Sequence, residues 1–195
     1  MFWSLAPLIV ACVALAGLVG MCSFQPTGPK VGPAPHYDAA AALRADASDL
    51  AIPIRLPQLP EGWHANSGAR DSIGDGRKDA ATGRSERAVL STVGYLSPRG
   101  VYLGLTQSNA DEAKLVAKLD TASASDGAFL PTGAQDVGGR SWVVYKHAGD
   151  DRKLWTARID GPTGQAQIAI MGSASDEEFR TLATATQSQP PLPAR

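Results

Sequence analysis

The chain has 195 residues, enough for one domain plus a targeting segment. Its 18 Lys and Arg balance 19 Asp and Glu at a formal charge of -1, and the signs interleave, as in Arg70-Asp71 and Lys78-Asp79, so no basic field draws it to nucleic acid. Both cysteines, Cys12 and Cys22, fall in the hydrophobic N-terminus, which excludes an intradomain disulfide, a thiolate nucleophile and a cysteine-based zinc site in the remainder.

Met1 to Phe24 carries no charged side chain, and the first ionisable one after it is Lys30. As a helix, about 22 such residues span roughly 33 Å, matching a hydrocarbon core of about 30 Å. Residues 1–24 are therefore expected to be one N-terminal transmembrane anchor, in contact with membrane lipid. Apolar residues continue past Ala14-Leu15-Ala16, which disfavours cleavage there. Cys22 is the position a lipid would use, but Met21 stands where lipoprotein signals prefer a small residue, so lipidation at Cys22 is the minor alternative. Lys30 alone says little about orientation.

Residues 25–60 read as a Pro-rich tether. Gln25 to Pro35 holds four prolines and two glycines. A short helix begins near Asp38 and an extended strap runs over Ile52 to Pro60, its prolines confining it to an edge or a surface. The packed domain is placed at 61–186, starting from Trp63, with a disordered tail at 187–195. Its first strand runs from Trp63 to about Ile73, followed by a polar loop, Gly74 to Arg87. Ala88 to Leu96 and Val101 to Leu105 form a hairpin around Ser97-Pro98-Arg99-Gly100.

Asn109 with Glu112 resembles a capping box for a helix whose stripe is Leu115, Val116 and Leu119. Gly138-Gly139 fits a primed turn between Gln135-Asp136-Val137 and Arg140 to Tyr145. Leu154–Ile159 and Gln165–Met171 are further strands. Ser175 to Glu178 caps a last helix that buries Phe179, Leu182 and Ala183. The expected fold class is α+β: an antiparallel sheet of about five or six strands packed with two helices, preceded by the transmembrane helix.

Leu59-Pro60-Glu61-Gly62-Trp63, Val93 to Pro98, Val137 to Tyr145, and Gly172-Ser173 through Glu177 to Leu182 together resemble the actinobacterial domain of unknown function family 4245. The resemblance covers almost the whole chain. It implies a single-pass cell-membrane protein with its C-terminal domain extracytoplasmic, and it brings no catalytic residues to transfer.

Chemistry is sparse in the sequence. His36, His64 and His147 share no ligand spacing, and no Gly-x-Ser-x-Gly elbow occurs. No cofactor, metal or catalytic residue is assigned. Trp63, Trp142 and Trp155 read as core residues. Trp63 and Trp142 form a candidate binding surface with Tyr102 and Tyr145 if they prove exposed. The function expected is binding of an envelope partner or ligand without catalysis. The alternative is an envelope hydrolase using carboxylates with His64 or His147, recognisable by a deep polar pocket where they converge.

Overall fold

The computed structural model describes residues 36–74, 87–121, 126–161 and 164–194. Seven strands alternate with three helices among these residues: α1 (Ala39–Asp49), β1 (His64–Ile73), β2 (Ala88–Leu96), β3 (Tyr102–Ser108), α2 (Glu112–Thr121), β4 (Phe129–Val137), β5 (Arg140–His147), β6 (Lys153–Gly161), β7 (Gly164–Gly172) and α3 (Asp176–Gln187). They form one sheet in the order β1-β2-β3-β7-β6-β5-β4. Every neighbouring pair is antiparallel.

Strand alternation sorts the side chains into two unlike faces. One face carries Val93, Tyr95, Leu103, Leu105, Trp155 and Ile168, and is covered by Leu43 of α1 and Phe179 and Leu182 of α3. The other carries Leu90, Leu154 and Ala169 under Leu115 and Leu119 of the single helix α2. α1 lies against β1 and β2, and α3 against β4 and β7.

Between α1 and α3 runs the strap. Ile52, Ile54 and Arg55 are all buried, although prolines keep this segment out of the ladder. Gln107 of β3 supplies the missing partners: its Oε1 accepts from Arg55 N–H (2.8 Å) and its Nε2 donates to Arg55 O (2.8 Å). The Arg55 guanidinium donates to three carbonyls, those of Pro53, Asp160 and Gln189. Leu192 N–H donates to Ile54 O (2.7 Å), so the segment expected as a disordered tail is held against the strap as far as Leu192.

The expected fold class needs three corrections. The sheet has seven strands, not five or six. The helices are three among the described residues, not two. α1 is a full core helix because its alanines allow close approach and Leu43 has 0 % exposure. No helix of the described residues is long and apolar enough to cross a membrane. The longest, α3, has 12 residues, or about 18 Å of axis. The expected transmembrane helix at 1–24 and Cys22 lie outside the described residues.

Local signals hold well elsewhere. Gly138 and Gly139 have φ of +58° and +82°, the primed-turn geometry that favours glycine. Ser175 and Glu178 complete a reciprocal capping box. Glu178 also receives Arg99 from the β2–β3 turn, at 3.1 Å (Nε) and 2.5 Å (Nη2). Arg99, with Ser97 and Ser175, holds the Glu178 carboxyl well below the usual carboxylate range. The folded state therefore favours the ionised form. That contribution is present at neutral pH and is lost in strong acid, below about pH 4.

Gln107→Leu leaves the buried N–H and C=O of Arg55 without partners, at about 1–3 kcal/mol each. Urea unfolding should show a loss of about 2–6 kcal/mol, and an unchanged midpoint would mean the strap is held by its apolar contacts alone.

Candidate functional site

The residues expected to form one binding surface lie on opposite sides of the sheet. Trp142 has 0 % exposure in the covered layer, where its Nε1 donates to Gln187 Oε1 (3.0 Å) and ties α3 to β5. Trp63 is half-buried against the same layer. Trp155, also buried, stacks on Phe179 with ring centroids 5.2 Å apart. Tyr102 and Tyr145 face the other way. Tyr102 is 44 % exposed, and its ring lies across Gly94, where an added Cβ would come within 2.4 Å of it. Tyr145 alone of the four lines a groove.

His147 does converge with carboxylates, as a hydrolase would require. Its Nδ1 lies 3.2 Å from Asp150 and its Nε2 4.0 Å from Asp120. Phe129 meets the imidazole edge-on at 5.1 Å, and Arg152 reaches Nε2 at 3.3 Å. The side chain has 0 % exposure, although the residue borders a second cavity of about 420 Å³ with Asp150, Asp151 and Asp176. His36 is exposed and His64 half-buried, with neither beside this cluster. Among the described residues no group of three or more His, Cys, Asp or Glu could hold a metal ion.

The groove lies on the sparsely covered face, beyond the N-terminal end of α2. Its volume is about 660 Å³, and its lining includes Glu112, Ser141, Tyr145, Thr156, Arg158 and Gln167. Cross-strand register explains the floor. Val143 of β5 stands opposite Thr156 of β6, and Arg158 of β6 opposite Gln167 of β7. These positions share one face because strand side chains alternate.

Glu112 enters the groove because the cap of α2 differs from the expected one. Asp111 makes the cap: its Oδ1 accepts from Lys114 N–H (2.8 Å), and Asn109 instead accepts from Val89 N–H (2.9 Å). Glu112 does not turn back to the backbone. Its Oε1 accepts from the Tyr145 hydroxyl (3.0 Å) and from the Thr156 hydroxyl. Burial, with the hydrogen bond to Glu112 and its negative charge, pushes Tyr145 up to about 12.

Gln167 is 4 % exposed, yet its carboxamide makes no hydrogen bond to any described residue. Sequence reasoning identified Tyr145 but missed Glu112, Thr156, Arg158 and Gln167. One signal was present: the polar side chains at Thr156, Arg158 and Gln167 alternate with Ala157 and Ile168 in strands that lie inside the sheet.

Tyr145→Phe tests this arrangement. An ultraviolet phenolate titration should lose a group ionising at about 12, and a Tyr145 ionising near 10 would overturn the contact. The folded state keeps this proton where the unfolded chain has released it. Stability should therefore fall as pH rises from about 10 to about 12, more steeply in the parent than in the variant.

No curated protein and no solved structure matches the chain. Residues 1–186 match the family model described as Protein of unknown function (DUF4245), and the chain belongs to that family.

Proposed function

We propose that the domain is a non-catalytic binding module that takes a small polar ligand in the groove over β5, β6 and β7. The observation that carries this reading is Gln167. Its carboxamide lines the groove and makes no hydrogen bond to any described residue, so both its donor and its acceptor are open to a ligand. The volume supports the same reading, since about 660 Å³ falls within the roughly 300–1,000 Å³ of ligand pockets. The groove is lined by Asp111 and Glu112, the latter with two hydroxyls donating to it, and the His147 imidazole is not among its lining groups. This supports binding over hydrolysis.

The test is a fragment screen on the full chain with nitrogen-labelled glutamine side chains. Binders should shift the Gln167 amide resonances saturably, and Gln167→Leu should abolish binding while keeping the fold. If no compound perturbs that amide or its neighbours, the reading fails.

The proposal places the module at the cell envelope, outside the membrane, on the strength of the uncharged stretch at residues 1–24. Protease added to intact cells should then digest the domain. Full protection until lysis would overturn the location and leave the groove reading standing.

A further inference from the structure

The hydrogen atoms at the α2 end of the groove are already allotted. Tyr145 and Thr156 both spend their hydroxyl protons on Glu112 Oε1. The partly exposed Tyr145 hydroxyl then has only lone pairs left to offer. Asp111 is occupied by Lys114, through the backbone N–H at 2.8 Å and Nζ at 3.4 Å. Glu112 Oε2 receives no hydrogen bond from any described residue. This end is therefore negative and rich in acceptors. Its complement is a positively charged group with several donors, which describes a primary ammonium.

The other end has the opposite character. Arg158 stands two residues from Thr156 on β6 and on the same face, about 7 Å along the strand. Its guanidinium is exposed and makes no ion pair among the described residues, while its own carbonyl accepts from Arg140 (2.8 Å). A guanidinium fork is the side chain best shaped for a carboxylate.

We propose that the groove selects a small zwitterion of the amino-acid class, its ammonium held by Glu112 and its carboxylate by Arg158, with the carboxamide N–H of Gln167, opposite Arg158 in register, donating to that carboxylate. This deepens the binding reading and rests on it. A simple anion meets the Glu112 charge, and a simple cation leaves Arg158 unmatched. A neutral polyol would desolvate both charges without pairing either. The selectivity thus follows from two unlike charges standing apart in one groove, each without an internal partner of opposite sign.

Calorimetry on the full chain at neutral pH tests it, using L-alanine, L-glutamate and γ-aminobutyrate as zwitterions. Ethylamine, propionate and methyl glucoside serve as the single-charge and neutral probes. At least one zwitterion should bind about tenfold or more tighter than each of those three. Glu112→Gln and Arg158→Gln should each weaken it by about tenfold, with circular dichroism confirming the fold. Because the Arg158 side chain is exposed, Arg158→Gln still tests the proposal should Glu112→Gln unfold. Silence from all three zwitterions overturns it, as does equal binding of the other probes or unchanged affinity in a folded Arg158→Gln. Methyl glucoside binding that is lost on Gln167→Leu would sink only the zwitterion. Failure of every probe, with the Gln167 amide unmoved in the screen, would sink the binding reading as well.

Discussion

The covered face of the sheet is closed by a segment that cannot itself join the sheet. Prolines at 53, 57 and 60 remove backbone donors from the strap, yet Ile54 and Arg55 are buried in the middle of the apolar layer. Backbone polar groups so placed need partners. Gln107 provides them for Arg55 by presenting a donor and an acceptor at the spacing of a peptide unit. The Arg55 side chain then ties the strap to Asp160 of β6 and to Gln189 beyond α3. One side-chain amide thus lets a proline-rich strip fill the gap between two helices.

The opposite face is finished differently. α2 has only 10 residues, and its stripe is narrow, with Leu115 and Leu119 buried. It shields Leu90, Leu154 and Ala169 and leaves Ser141 and Val143 of β5 and the far ends of β6 and β7 to the groove. The groove is what remains uncovered. Its polar floor fits that exposure, since apolar residues at Thr156, Arg158 and Gln167 would have left a hydrophobic patch. The groove therefore arises from incomplete coverage of a two-sided sheet, and Glu112 lies at its edge because Asp111 already serves the helix.

What was legible in the sequence was local. Ser175 and Glu178 lie three residues apart before an apolar stripe, and both halves of their capping box form. Ser97 to Gly100 and Gly138-Gly139 state their turns through the residues that tolerate those dihedrals. What was not legible depended on distant partners. The prolines of the strap correctly excluded a ladder, but nothing nearby in sequence says that Gln107 replaces it. Asn109 and Asp111 are both competent caps, and the choice is made by Val89, which occupies Asn109. Trp142 and Tyr145 sit three residues apart on one strand and so face opposite layers. Their pairing as one surface failed on strand parity.

The bond from Leu192 to Ile54 joins the two ends of the described domain. A chain leaving the ribosome would have its sheet-forming segments outside before the residues that lock the strap were made. Closure of the apolar layer then waits for Leu192, a contact of the long-range kind that slows folding. Until then Ile54 and its neighbours would lie under an unfinished seam. A nascent domain of this design has a reason to meet a chaperone until Leu192 has emerged.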